Sequence, residues 1–231
     1  MRWANNKVPD ALMPTYGLQR FAKAVLYGHH KIFFGLRVHG AQNLDGLENT
    51  GLISICNHVH MLDCAMLGSL FKSRPVAFPT LQQNLDMFFV GRYLVRNLGG
   101  FPVAGTVAAQ KTFNRIVEKL LDDGTVVHFF PEGHRIDYDT RLREFQRGAF
   151  YFAYRCRVPI VPMIITFREK DGIRRLFRRK PSIDLHVLPP VYPDTSAPAK
   201  AEIARLHAAC REAMEQIQRK YAQEQPGDAG S

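Results

Sequence analysis

Leu52-Ile53-Ser54-Ile55-Cys56-Asn57-His58-Val59-His60-Met61-Leu62-Asp63 sets a short apolar run directly before a polar exit and the start of a helical pattern. Such a run reads as a strand buried on both faces of a parallel sheet. Pro75 to Phe78, Thr125 to Phe130 and Ile160 to Thr166 have the same character. Residues 62 to 72, 85 to 97, 106 to 122 and 145 to 156 carry helical spacing instead, and Asp122-Asp123-Gly124 closes the third of these helices. Strands alternating with helices predict an α/β fold: a single domain with a mostly parallel central sheet flanked by helices.

Outward from this alternation the pattern changes. Leu18, Phe21, Val25 and Leu26 recur at helical spacing with Arg20 and Lys23 between them, so residues 11 to 28 read as an amphipathic helix. Its apolar stripe suits either a bilayer surface or the domain core. Residues 197 to 223 form a charged, Ala-rich helix after a proline-rich break. The chain thus divides into an N-terminal amphipathic, membrane-associating segment (1–32), an α/β domain (33–192), a C-terminal helix (193–224) and a disordered tail (225–231). A length of 231 residues suits one core. Tyr16 to Leu36 is the most apolar stretch, but Arg20, Lys23, His29, His30 and Lys31 interrupt it, so no membrane span is expected.

The formal charge of +10 is concentrated: Arg141 to Lys180 holds twelve Lys/Arg against Glu144, Glu169 and Asp171, a net of +9. Within it, Arg174, Arg175, Arg178, Arg179 and Lys180 surround Leu176 and Phe177. This cluster suits anionic lipid head groups, nucleic acid or plain solvation. Without a helix-turn-helix, zinc-finger or RNA-binding signature, no nucleic-acid partner is expected, and an anionic membrane surface is. Four scattered cysteines without a C-x-x-C pair, and an N-terminus unlike a signal peptide, point to the cytoplasmic face of a membrane, with peripheral or monotopic attachment.

His58 sits where a buried strand leaves the sheet, the place at which open α/β folds gather ligands and chemistry. A helix starting near Met61 puts Asp63 in its first turn, from which its carboxylate can fold back to the imidazole, giving a base and its orienting group. The H-x-x-x-x-D spacing alone is weak, with about 0.5 matches expected by chance in this composition. His134 to Asp139 is indeed a second match, and context favours His58. The other constellation is Phe130-Pro131-Glu132-Gly133-His134-Arg135, again at a strand end. Pro131 stops the ladder and Gly133 permits a tight turn. Glu132 can accept from a hydroxyl, and Arg135 offers a forked cation suited to phosphate. An ordinary strand-to-helix turn with a surface ion pair is the alternative for this loop.

The ordered pair NHVHMLD and FPEGHR, roughly 70 residues apart, resembles the first and third sequence blocks of the glycerolipid acyltransferase family, which includes 1-acylglycerol-3-phosphate acyltransferases. Phe145-Gln146-Arg147-Gly148-Ala149-Phe150 fits too, and Val158-Pro159-Ile160-Val161-Pro162 resembles the fourth block. The likeness covers about residues 33 to 192. It implies an acyltransferase domain in which His58 is the general base and Asp63 fixes its tautomer. It also implies that Glu132, Gly133, Arg135 and Arg147 bind substrate. The implied reaction moves an acyl group from an acyl thioester, acyl-coenzyme A or acyl-carrier protein, to a hydroxyl of a lysophospholipid-type acceptor. It uses no cofactor beyond that co-substrate, and no metal. The place in phospholipid biosynthesis or remodelling follows from the same resemblance.

The chain departs from the family pattern at Gly105, where the second block usually ends in an acceptor-binding Arg, and at His60 and His134, where Ser and Thr are common. Acceptor charge would then come from Arg92, Arg96, Lys111 or Arg135, and the acceptor itself stays open. Two other readings are a zinc-dependent hydrolase with His58, His60 and Asp63 as ligands, and a non-enzymatic basic membrane-binding module.

Overall fold

Helix α1 (Tyr16–Phe33) leads through a tight corner into β1 (Arg37–His39), and a short 3-10 turn precedes β2 (Leu52–Ile55). Then come α2 (Asp63–Leu70), β3 (Val76–Thr80), β4 (Gly100–Pro102), α3 (Val107–Asp122), β5 (Val126–Phe129), α4 (Gly148–Cys156), β6 (Ile160–Arg168), β7 (Ser182–Val187) and α5 (Ala199–Glu224). The structure is a computed structural model that describes residues 16–71, 74–81, 99–103, 106–170 and 180–224. The helix expected at 85 to 97, the Gly105 position, the 174–179 arginine cluster and the tail from 225 lie outside these residues.

Among the described residues one seven-stranded sheet has the order β1-β7-β6-β2-β5-β3-β4. β6, β2, β5, β3 and β4 are mutually parallel, as the continuous apolar runs require. β7 runs antiparallel to β6, with β1 parallel to β7, so the sheet is mixed at one edge. The fold class is the expected one: α/β, with a mostly parallel sheet and helices on both faces.

Strand β2 lies at the centre, and both of its faces are buried. Ile53 and Ile55 join a core built from α3, α4 and α5, including Phe113, Val117, Phe150, Leu206 and Met214. Leu52 and Cys56 join the opposite core with Met66, Leu67, Met163 and Ile165. Because successive side chains of a strand point to opposite faces, one apolar run serves both layers. Gly51, just before β2, is passed closely by the end of α3, where an added Cβ would stand 2.0 Å from the Leu121 carbonyl oxygen. No larger residue fits there without moving backbone.

Helix α3 starts at Thr106, whose hydroxyl accepts from the Ala109 amide at 3.2 Å, an N-cap that satisfies one of the helix's first free donors. Helix α1 packs on α2 and leaves part of its apolar stripe facing outward. Lys23 and His30 are buried, while Phe21 and Val25 face outward, 71% and 55% exposed. Lys23 donates to the carbonyls of Phe71 and Arg74, in the turn that follows α2. No helix among the described residues is long and apolar enough to cross a membrane.

Candidate active site

The parallel strands deliver their loops to one edge of the sheet, and two side chains, Asn57 and Asp63, fix where the β2 loop goes. Asn57, fully buried, uses its amide as a substitute strand: Nδ2 donates to the Ile165 carbonyl at 3.0 Å and Oδ1 accepts from the Ile165 amide at 2.8 Å. That locks the exit of β2 to β6 and throws His58 over the carboxyl edge.

Asp63 opens α2 with its side chain wholly buried. Its Oδ2 accepts from the Val59 amide at 2.8 Å, the His60 amide at 2.9 Å and His58 Nδ1 at 3.0 Å. A carboxylate oxygen bearing two amide donors has nothing to donate, so the proton of this third bond belongs to Nδ1. The lone pair of His58 is thereby assigned to Nε2, on a side chain 21% exposed. Phe130 stacks on the imidazole with ring centres 3.9 Å apart and planes within 16°, walling one face of it.

The second loop is folded onto the first. The amides of Ile136 and Tyr138 donate to the carbonyls of His58 (3.2 Å) and Val59 (2.8 Å). Gly133 makes the tight turn, its amide on the Phe130 carbonyl at 3.1 Å, with φ at +76°, a conformation in which glycine carries no steric penalty. Glu132 does not stand open beside His58. Its side chain is fully buried and pairs with Arg143. Burial pushes its carboxyl above the usual range, while Arg143 and nearby backbone amides, that of His58 among them, pull it back. Arg135 is exposed and bonds Asp137 through Nε at 2.7 Å. Arg147 is exposed at the start of α4. The structure therefore brings His58, Asp63, Glu132 and Gly133 together in contacting loops and leaves Arg135 and Arg147 on the surface.

The rival H-x-x-x-x-D match comes apart, because the Asp139 carboxylate is taken by Arg141 through its amide, Nε and Nη2 at 2.9–3.0 Å. The zinc arrangement also lacks its geometry. His60 turns away from His58, its Nδ1 accepting from the Leu62 amide at 3.1 Å and its ring edge-on to Phe34 and Tyr138. Among the described residues no three His, Cys, Asp or Glu side chains group as metal ligands.

Of three further contributors, only Arg143 was wholly unforeseen; Phe130 was read as part of its loop and not as a partner of the imidazole ring. Phe130, Arg143 and His128 all touch this site, and His128 is buried beside Phe130 with Nδ1 on Ser54 Oγ at 2.8 Å. Burial pushes the His128 imidazole down to about 3, which keeps it neutral. A histidine inside an apolar strand was the available signal.

The family model described as Acyltransferase matches residues 35–166, more than half of the chain and all of the geometry just given. The chain belongs to the acyltransferase family. This acyltransferase is 27% identical to human 1-acyl-sn-glycerol-3-phosphate acyltransferase beta over 80% of its own length and 66% of that protein's. It is 26% identical to the 1-acyl-sn-glycerol-3-phosphate acyltransferase of Escherichia coli over 83% of its length and 76% of the other's. Against the coconut enzyme of the same name the match spans 58% of that protein, so the chain corresponds to about two thirds or less of some of these relatives. Its fold matches the crystal structure of the 1-acyl-sn-glycerophosphate acyltransferase PlsC from Thermotoga maritima with a TM-score of 0.63, at 18% identity, covering 87% of this chain and 80% of that one.

Proposed function

We propose that this acyltransferase moves a fatty acyl group from a thioester to the free hydroxyl of a lysophospholipid, with 1-acylglycerol-3-phosphate, for which its relatives are named, the acceptor class to test first. His58 is the general base and Asp63 its orienting partner. The observation that carries the reading is the Asp63 carboxylate, which is buried under three donors and leaves Nε2 as the basic nitrogen of His58.

In the proposed reaction the acceptor hydroxyl gives its proton to His58 Nε2 as its oxygen attacks the thioester carbonyl. Asp63 stabilises the imidazolium that forms, holding its Nδ1–H in place. Collapse of the tetrahedral intermediate breaks the C–S bond, and the imidazolium proton goes to the departing thiolate. The ester and the free thiol of coenzyme A or of the carrier protein result. No further cofactor is consumed. Arg135 and Arg147, exposed beside the β5 loop, are the proposed cations for an acceptor phosphate, and Gly133 lets the backbone of that loop approach it. Glu132, buried on Arg143, supports the loop and does not meet the acceptor directly.

The proposed place of action is the cytoplasmic face of an anionic membrane. Exposed Met61, Leu81, Val103 and Ile136 follow β2, β3, β4 and β5, so the carboxyl edge that carries His58 also carries an apolar rim. The outward Phe21 and Val25 of α1 add a second apolar surface.

Radiolabelled acyl transfer from palmitoyl-coenzyme A or palmitoyl carrier protein to a panel of lysolipids tests the reading. His58→Ala should lower turnover by roughly two to four orders of magnitude with the fold intact. Wild-type turnover in that variant sinks the assignment. Arg135→Ala should raise the acceptor KM and leave the thioester KM unchanged. A shift confined to the thioester would remove Arg135 from its role.

A further inference from the structure

Arg143 is the ion-pair partner of the buried Glu132 carboxylate, and it reaches further than that pair. Its Nη2 also donates to the His134 carbonyl at 3.1 Å, so a single guanidinium ties both sides of the Gly133 turn. The turn is in contact with the base, because the chain beyond it bonds the backbone of His58 and Val59. Displacing the turn displaces the residue that carries the imidazole.

What holds Arg143 lies far off in sequence. Helix α5 runs along the 140–146 segment and grips its backbone repeatedly. Arg211 Nη1 donates to the Arg143 carbonyl at 2.7 Å, and Gln218 Nε2 donates to the Thr140 carbonyl. His207 lies 3.3 Å from the Phe145 carbonyl, and the Arg211 guanidinium sits over the Phe145 ring at 5.3 Å. Glu215 braces Arg211 from one turn on, at 2.7 Å. The other face of α5 is anchored in the core by Leu206, Cys210 and Met214. A rigid helix therefore stands behind a short irregular segment, which stands behind the turn, which stands behind His58.

We propose that Arg143 is a positioning residue through which α5, by way of Arg211, holds the Glu132 turn against His58 and sets the reach of the base. This rests on the assignment of His58 as base. Helix α5 and Arg211 lie beyond residues 35–166, the stretch that the family model matches, while Arg143 and Glu132 lie within it.

Arg143→Met alone leaves a buried carboxylate unpaired, which can unfold the loop outright. Two other variants avoid that. Arg211→Gln leaves the Arg143–Glu132 pair intact and removes the guanidinium that holds the Arg143 carbonyl. Glu132→Gln combined with Arg143→Met removes both charges together while keeping similar volumes. With palmitoyl-coenzyme A or palmitoyl carrier protein as donor and 1-oleoylglycerol-3-phosphate in mixed micelles as acceptor, kcat should fall roughly tenfold in each variant. That is the scale of loss when a reacting group is held less accurately. The KM of both substrates should stay within about twofold. Arg143→Lys, which keeps the charge but loses the planar guanidinium that places Nη2 between Glu132 and the His134 carbonyl, should fall between the wild type and the double variant.

A full kcat in the folded double variant or in Arg211→Gln overturns the proposal. So does a loss expressed only in KM, or a lowered melting temperature with unaltered kcat well below it. His58→Ala run alongside separates the two claims. Wild-type turnover in that variant removes the base assignment and this proposal with it. An inactive His58→Ala with fully active Arg211→Gln removes only the positioning role.

Discussion

A carboxylate oxygen that accepts three hydrogen bonds in a buried setting holds its neighbours more firmly than its sequence spacing suggests. Asp63 ties together the His58 ring and the amides of Val59 and His60, so one side chain shapes the loop and selects the tautomer. Asp63→Asn should therefore separate two effects. The amide oxygen still accepts from the backbone, at a stability cost of about 1–3 kcal/mol for losing the charge. The imidazolium, however, loses its counter-charge, and turnover should drop by roughly two to four orders of magnitude with the thioester KM little changed. Steady-state kinetics beside a denaturation curve would check both halves. The His58 and Asp63 pair was legible in sequence because a strand exit and a helix start fix their distance within one loop. Glu132 was legible as a member of the turn but not as a buried group. Its partner Arg143 is eleven residues away, inside a run of basic residues that reads as solvated surface.

At the level of elements, the four apolar strands announced themselves, since burial on both faces leaves them almost continuously apolar, with Ser54 in β2 and His128 in β5 as polar exceptions that bond each other. β1 and β4 have three residues each and offer no period to detect. β7 alternates Ser182, Asp184 and His186 with Ile183, Leu185 and Val187, the signature of a half-buried edge-side strand, which a search for continuous runs passes over. Helix α1 shows a different limit, because periodicity gives the stripe and not which side meets the core. His30 on its inner side is fully buried, and neither ring nitrogen has a hydrogen-bond partner among the described residues. Burial, with smaller contributions from His29 and His60, pushes its pKa down from 6.5 to about 4. Between those values the unfolded chain binds more proton than the folded one, so stability is lost as pH falls from 6.5 toward 4. His30→Leu should remove that part of the acid sensitivity. Relative to the wild type it should gain about 1–2 kcal/mol on going from pH 7 to pH 5, read from urea denaturation at the two pH values.

For the molecule as a whole, the acceptor of the proposed reaction is an amphiphile, so the question becomes how a basic protein meets a lipid surface. Its apolar groups are individually small. Phe21 and Val25 on α1 and Met61 on the active edge are 71%, 55% and 68% exposed, and inserting each would contribute about 1–3 kcal/mol at most. A few such side chains give weak, reversible attachment, which a basic cluster can strengthen by about 1 kcal/mol per charge close to anionic lipid. The two contributions differ in their response to salt, since the electrostatic part is screened within a Debye length and the apolar part is not. Flotation with vesicles of phosphatidylglycerol and phosphatidylcholine therefore has a definite expected form. Phe21→Ser combined with Val25→Ser should lower the bound fraction at every ionic strength, corresponding to roughly tenfold weaker partitioning. Replacing the arginines at 174, 175, 178 and 179 by Gln should lower it at low salt and have little effect near 0.5 M. The wild type should bind neutral vesicles less than anionic ones. Equal binding to both lipid mixtures, or no loss in either variant, would mean that lipid reaches His58 by a route that does not involve this surface.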